Sequence, residues 1–118
     1  MSYFTIEKLE HVQALPGIQR SAVWLDRVML TFFSFEPGAV VPEHAHANEQ
    51  ITIVVRGKME FSLAGQVRIL GAGDGVCIPP NVSHGARILD EQTVAYDAWN
   101  PPREDYMTCA RAGASPKR

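Results

Sequence analysis

Short runs of β-forming residues, each ended by glycine, proline or another turn residue, recur along most of the chain. Eight such runs have the length and composition of strands, at residues 19–25, 28–35, 50–55, 59–63, 67–70, 75–78, 84–88 and 93–99. Asp26-Arg27 and Ala64-Gly65 are typical of tight hairpin links. Helical periodicity is scarce, apart from a short helical turn predicted after Pro102. The pattern therefore predicts an all-β fold of antiparallel strands, either a double-sheet jelly roll or a small barrel.

The length of the chain, 118 residues, is enough for one domain with a single hydrophobic core. Such a core needs no disulfide or metal for its stability, so we expect any bound metal to be functional. We predict an N-terminal arm or edge strand at residues 1–17, the barrel at 18–107 and a C-terminal tail at 108–118.

The charges nearly balance, with 11 lysines and arginines against 13 aspartates and glutamates. Because there is no broad basic surface and no stripe of aromatic and basic residues, nucleic acid is not expected as a partner. No apolar run approaches the length that spans a membrane. Cys77 and Cys109 lie far apart, and the N-terminus lacks the plan of a signal peptide. We therefore expect a cytoplasmic protein with reduced thiols, and a homodimer that covers an apolar sheet face.

Three of the four histidines lie in two short stretches bordered by glycine and proline, namely His44 with His46 and, further on, His84. In an extended strand side chains alternate between the two faces, so that His44, His46 and Gln50 would point to one side. Three imidazoles and an amide oxygen form a neutral ligand set that suits one divalent transition-metal ion, either Zn, Ni, Fe, Mn or Co. The sequence therefore predicts a metal site at these four residues and leaves the metal's identity open.

Two glutamates beside the first stretch, Glu43 and Glu49, would point to the opposite side. A β-bulge between His46 and Gln50 would shift the alternation by one residue and bring Glu49 into the ligand set in place of Gln50. His11 lies outside both stretches, and we interpret it as an ordinary surface residue.

The spacing of these residues allows a comparison with known families. The two stretches read Gly38-x5-His44-x-His46-x3-Gln50-x6-Gly57 and Gly73-x5-Pro79-x-Asn81-x2-His84. They resemble the paired motifs of the cupin family over roughly the central half of the chain. The resemblance implies a cupin-type double-stranded β-helix, which is a jelly-roll barrel, in a single domain.

Two residues depart from the usual cupin motifs. Asn81 stands where the second motif usually has glycine, and asparagine tolerates the positive φ of a turn at that position. Gln50 stands where the first motif usually has glutamate, which removes one negative charge from the ligand set. The ion then keeps more of its Lewis acidity and gains less electron density for activating oxygen, which favours redox-neutral chemistry.

The interior predicted from strand alternation is mostly small and apolar. The face that carries His84 also carries Ala86 and Ile88, and the face that carries Gln50 also carries Thr52 and Val54. Such a lining leaves room for a small ligand beside the metal. The alternative is a packed barrel without a cavity.

The last strand adds a carboxylate and an aromatic ring, because Asp97 and Trp99 share one of its faces. If that face is inward, desolvation raises the pKa of Asp97 and the charge of the metal lowers it. Whichever effect is larger, Asp97 could serve as a base at neutral pH. Arg103, beyond the prolines, offers a planar fork for a substrate carboxylate. The alternatives are an Asp97 that caps a loop or faces water, and an Arg103 that is an ordinary surface arginine.

A more specific resemblance comes from Gln50 and from residues 96–106, which read YDAWNPPREDY. They are similar to small single-domain cupins of pectin and alginate degradation, which linearise 4,5-unsaturated monouronates. This resemblance implies that Asp97 is a catalytic base, that Trp99 is a sugar-stacking surface and that Arg103 binds the substrate carboxylate. It implies metal-assisted ring opening and tautomerisation, in which Asp97 moves a proton.

Other functions remain open at this point. The three histidines and an open coordination position would also suffice for an iron-dependent dioxygenase of a small organic substrate. The barrel could instead bind a small ligand without turning it over, or keep its metal by inheritance only, since a fold does not determine a function.

Overall fold

A computed structural model describes residues 2–107 and contains ten β-strands. A 3₁₀ turn at Ile6–Lys8 precedes them, and the four-residue helix α1, Glu104–Met107, follows them. The strands are β1 Val12–Leu15, β2 Ile18–Trp24, β3 Met29–Phe35, β4 Val40–His44, β5 Glu49–Arg56, β6 Lys58–Leu63, β7 Gln66–Gly71, β8 Gly75–Ile78, β9 His84–Ile88 and β10 Thr93–Asn100. The tail predicted at 108–118, with Cys109, lies outside the described residues.

The strands form two antiparallel sheets, as the sequence predicts for a jelly roll. One sheet has six strands in the order β1-β2-β3-β10-β5-β8, and the other has four in the order β4-β9-β6-β7. Neighbours in a sheet are mostly distant in sequence, for example β10 between β3 and β5. Residues far apart along the chain therefore meet in one row across a sheet.

All eight predicted runs are strands, with ends that differ by at most one residue. Both predicted hairpin links are confirmed, since Leu25 N donates to Val28 O across the first, and Ala64 and Gly65 have φ of 51° and 82° in the second. The segment before Pro16 contributes β1 at a sheet edge. Strand β4, which contains Pro42, was not predicted.

The core lies between the two sheets and follows from alternation along the strands. In β10 buried and partly buried residues alternate, and in β5 exposed and buried residues alternate. Ile18, Val54, Met59 and Ile88 are almost fully buried between the sheets. Each such side chain contributes about 1.5–3 kcal/mol by its removal from water. The same alternation directs polar residues of β5 and β10 inward at one end of the barrel.

The opposite face of the six-stranded sheet is partly covered by the N-terminal segment. Phe4 packs on Phe32 with ring centroids 5.8 Å apart, and Leu9 is buried beside them. Ile51 and Ile53 of β5 stay exposed on this face. No helix within residues 2–107 has both the length and the apolar character needed to cross a membrane.

Candidate metal centre

Three histidines meet at one end of the barrel. His44 ends β4, His46 lies in the following loop, and His84 begins β9 directly opposite His44. One nitrogen from each ring lies within 4.8 Å of the others, so the group could hold a metal ion. Strand alternation does not explain this grouping. Strand β4 ends at His44, and the loop that follows it positions His46.

All three imidazoles bind a backbone carbonyl two residues away through Nδ1. His44 Nδ1 donates to Pro42 O at 2.9 Å, His46 Nδ1 to Asn48 O at 3.1 Å, and His84 Nδ1 to Val82 O at 2.9 Å. Because a carbonyl only accepts, each Nδ1 must carry the hydrogen. In the neutral ring Nε2 then keeps its lone pair, which is the arrangement of a metal-ligating histidine.

Two of these Nε2 atoms lack a suitable hydrogen-bond donor among residues 2–107. His84 Nε2 is buried without a partner, and His46 Nε2 lies 2.9 Å from Gln50 Oε1, which is itself an acceptor. Burial lowers the pKa of both imidazoles, which favours their neutral forms. Two acceptors facing one another are reconciled by a cation, and neighbouring ligands at about 2.1 Å from one ion lie about 3 Å apart. The residues present therefore fit a divalent metal.

Gln50 rather than Glu49 faces the histidines. Gln50 is buried, whereas Glu49 is exposed. Glu43 is also exposed, and its carboxylate accepts a hydrogen bond from the Ser83 hydroxyl at 2.7 Å. The irregularity in the pairing of β5 with β10 lies at Val94 and Ala95, beyond the site, so no bulge turns Glu49 inward.

A cavity of about 110 Å³ opens from this centre into the barrel. His44, His84 and Gln50 line its polar end, and Asp97 and Trp99 form part of its wall. Four bulky apolar side chains also line the cavity, namely Phe33, Phe35, Met59 and Phe61. The predicted apolar lining is therefore correct, but the prediction of a mostly small lining is wrong, because β3 and β6 contribute large residues.

Of the alternatives left open for Asp97, the structure shows the inward one: Asp97 lies on the inner face of β10 and is 5% exposed. Its Oδ2 accepts a hydrogen bond from Thr31 Oγ1 at 3.0 Å, and its Oδ1 accepts one from Thr52 Oγ1. Burial raises the pKa of Asp97 to about 6, against the opposing effect of the hydrogen bonds. A carboxyl group in this range both accepts and returns a proton near neutral pH.

Trp99 is buried on the same face of β10. Its Nε1 donates to Thr31 Oγ1 at 3.0 Å, and its ring centroid lies 5.1 Å from that of His46. The indole therefore lies beside the metal centre and forms part of the cavity wall.

Arg103 lies at the rim and does not line the cavity. Its guanidinium lies 5.4 Å from the ring centroid of Trp99 and 4.6 Å from that of Tyr106. Its Nε and Nη2 donate to the carboxylate of Asp105 at 3.2 and 3.0 Å. Asp105 thus occupies one side of the planar fork, a contact that was not predicted.

Tyr106, on the predicted helical turn, lines the cavity, although no role was predicted for it. Burial raises the pKa of its phenol, and the nearby guanidiniums of Arg103 and Arg20 oppose that rise. Arg20 lies 4.0 Å above its ring centroid. The position of Tyr106 within the resembling run was the available signal.

A family model described as a cupin domain matches residues 31–98. The chain belongs to the cupin family. This cupin is 32% identical over 107 residues to the pectin degradation protein KdgF of Dickeya dadantii, in an alignment that covers 89% of this chain and 97% of that protein.

Solved structures agree with this assignment. KdgF from a Halomonas species matches with a TM-score of 0.86 at 33% identity, over 91% of this cupin and 99% of that chain. An RmlC-like cupin from Shewanella frigidimarina matches with a TM-score of 0.86 at 29% identity, over 91% and 96% of the two chains. The fold of this cupin and its similarity to pectin-degradation proteins are thus established together.

Proposed function

We propose that this cupin is a metal-dependent enzyme of the isomerase or lyase type. Its proposed reaction opens the ring of an unsaturated uronate, or a similar carboxylated sugar, and tautomerises the product. The observation that carries this proposal is a buried carboxyl group, Asp97, on the wall of a cavity that is also lined by two of the three histidines, His44 and His84, whose Nε2 atoms are unprotonated. The similarity to KdgF proteins supports the choice of substrate.

The proposed ligands of one divalent transition-metal ion are His44, His46, Gln50 and His84. The structure supports this set through the grouping of the histidines and the contact of Gln50 Oε1 with His46 Nε2. When bound, the ion supplies Lewis acidity toward substrate oxygens, which a ligand set without charge leaves largely intact.

Asp97 is the proposed proton carrier. In a 4,5-unsaturated uronate, its carboxylate takes the proton of the anomeric hydroxyl as C1=O forms and the bond from C1 to the ring oxygen breaks. The electron pair passes to the enolate of C4, C5 and the former ring oxygen. Asp97 returns the proton to C4, which leaves a ketone at C5. One proton thus moves from oxygen to carbon, and no oxidant is needed.

Trp99 and Arg103 are the proposed substrate-binding residues. Trp99 offers an aromatic face on the cavity wall beside the histidines. Asp105 takes Nε and one Nη2 hydrogen of Arg103, so its Nη1 group is the side that we assign to the substrate carboxylate.

The direct test incubates metal-reconstituted protein, without oxygen, with a 4,5-unsaturated monouronate. Loss of the enol-ether absorbance, and its suppression by a chelator, is the expected result. Bound metal with no loss of absorbance would contradict the proposal.

Two variants assign the roles. Asp97→Asn should abolish most of the activity while the protein still binds metal, and Gln50→Ala should lower both metal content and activity. An active Asp97→Asn protein would remove the base role, and full metal content in Gln50→Ala would remove Gln50 from the ligand set.

The aromatic residues of the cavity lining favour a second candidate, an iron-dependent dioxygenase that acts on a small organic substrate with an apolar body. An apolar substrate would pack more favourably than the hydroxyl groups of a sugar against the rings of Phe33, Phe35 and Phe61. A non-catalytic cupin that binds the same kind of ligand would use the same surface. Turnover only with iron and oxygen would favour the dioxygenase, and binding without turnover would favour the binding protein.

We also propose that this cupin acts as a homodimer through the exposed face of the six-stranded sheet. Ile51 and Ile53 on β5 and Leu30 on β3 are 56%, 45% and 40% exposed. Ile51 pairs across β10 through Ala98 to Leu30, so these residues form one apolar patch. The cytoplasmic location stays a prediction.

A further inference from the structure

We propose that Thr52 and Thr31 are positioning residues, through which the carboxylate of Asp97 orients both the amide of Gln50 and the indole of Trp99. The inference rests on the metal site of the proposed function, but not on the identity of the substrate.

Three neighbouring strands place these residues in two rows. In the first row Thr31, Asp97 and Thr52 lie opposite one another on β3, β10 and β5. In the next row Trp99 lies opposite Gln50. All five side chains point into the barrel and are less than a tenth exposed. Water is therefore largely excluded, so the polar groups of these side chains must find their hydrogen-bond partners among one another.

The hydrogen atoms on the Gln50 side can be assigned from this network. An ionised carboxylate only accepts, so the single hydroxyl hydrogen of Thr52 points to Asp97 Oδ1. Thr52 Oγ1 then has only lone pairs left, and it accepts from Gln50 Nε2 at 2.8 Å. With its nitrogen held there, the amide must present Oε1 to His46 Nε2 and to the ion. The opposite amide orientation would place a hydrogen-bond donor where a ligand is required.

The Trp99 side follows the same logic. Thr31 gives its hydroxyl hydrogen to Asp97 Oδ2 and accepts from Trp99 Nε1 at 3.0 Å. This bond fixes the plane of the indole, whose ring lies beside His46. One carboxylate thus orients a metal ligand, both through Thr52 and through a direct hydrogen bond from Gln50, and it orients the aromatic cavity wall through Thr31.

Replacement of Thr52 by valine tests the first arm, because valine keeps the shape and removes the hydroxyl. We expect Thr52→Val to weaken binding of Zn²⁺ by about tenfold to a hundredfold, as is typical when a group that orients a ligand is lost. Affinity is measured by competition with a chromophoric chelator. Thr52→Ser keeps the hydroxyl and should restore most of the parent affinity.

Thr31→Val is the matched control, since it removes the corresponding hydroxyl on the other oxygen of Asp97. It should leave the Zn²⁺ affinity unchanged and shift the indole N–H resonance of Trp99 in a ¹H–¹⁵N spectrum. The chain has two tryptophans, so a Trp24→Phe variant assigns the two signals. Thr52→Val should leave the Trp99 resonance near its parent position.

Each outcome decides the inference. Weak Zn²⁺ binding in Thr52→Val with recovery in Thr52→Ser supports it. Equal affinity in folded Thr52→Val and parent protein overturns it and leaves the metal site intact. Equal loss in the valine and serine variants overturns it as well, because the hydroxyl would not be the cause. A parent protein that binds no metal overturns the metal site, and the inference with it.

Discussion

At the scale of single residues, the site depends on where hydrogens are fixed. The imidazoles of His44, His46 and His84 each donate from Nδ1 to a nearby carbonyl, so the unprotonated nitrogens are set before any ion binds. Asp97 is instead held by two hydroxyl groups from other strands. The histidine geometry is local in sequence, whereas the Asp97 geometry depends on the sheet.

This difference explains which site residues could be predicted. The histidines and Gln50 stand out because their residue types and spacing resemble cupin motifs, and Asp97 stands out because it lies in the resembling run at residues 96–106. Thr31 is 66 residues from Asp97, and only the pairing of β3 with β10 brings the two together. Arg103 lies beside the ring of Trp99, but its ion pair with Asp105 depends on the local turn, which the sequence does not specify.

Asp97 should give the metal-free protein a characteristic dependence of stability on pH. Its pKa is raised from 3.8 to about 6, so folding favours the protonated form. The resulting stabilisation is fully present below pH 3.8, the ordinary pKa of the carboxyl group, and it is lost as the pH rises through about 6, its pKa in the folded protein. The free energy of unfolding of Asp97→Asn, relative to the parent, should therefore rise by up to about 3 kcal/mol between pH 4 and pH 7.

Urea unfolding of chelator-treated parent and variant at several pH values measures this difference. Comparing the two proteins at each pH removes contributions from histidines that they share. A difference that stays constant from pH 4 to pH 7 would show that the pKa of Asp97 is close to its unfolded value.

At the scale of secondary-structure elements, the turns that join strands carry specific demands. Gly57, between β5 and β6, has φ of 87°, and an added Cβ would lie 2.7 Å from Thr93 Cα. Gly38 has a similar φ of 82°, but no atom lies within 4 Å of its added Cβ. Alanine at Gly38 would therefore cause backbone strain alone, whereas alanine at Gly57 would cause both backbone strain and a steric clash.

Alanine substitution should distinguish the two positions. Gly38→Ala should lower the free energy of unfolding by about 1–2 kcal/mol, the cost of a left-handed conformation. Gly57→Ala should lower it by roughly 2–5 kcal/mol, because overpacking against β10 adds to that cost. Urea unfolding measures both free energies, provided that they depend on urea concentration with the same slope in the parent and the variants. An equal loss of unfolding free energy in the two variants would contradict the steric argument.

Strand β4 shows where prediction from sequence fails at this scale. Its residues include Pro42, which lacks a backbone donor and normally counts against a strand. The structure places β4 at the edge of the four-stranded sheet, where one side of the strand needs no partner. Position within a sheet cannot be read from a short run of residues, so this strand was missed while the eight runs without internal proline were found.

At the scale of the whole molecule, the exposed patch on the six-stranded sheet should control assembly. Ile53→Lys places a charge within that patch, and we expect it to convert a dimer to a monomer. Ile69→Lys is the matched control, because Ile69 is similarly exposed on β7 of the other sheet. Light scattering coupled to size-exclusion chromatography measures the masses, and a monomeric parent would contradict the proposal.

The row of Thr31, Asp97 and Thr52 also makes the site a check on correct folding. Because side chains alternate along a strand, a one-residue slip of β10 would turn Asp97 and Trp99 to the outer face. A compact but misregistered chain would keep its histidines and lose the network that aims Gln50. The fraction of a refolded preparation that takes up metal tightly would then report the fraction with native strand register, which bulk secondary-structure signals do not resolve.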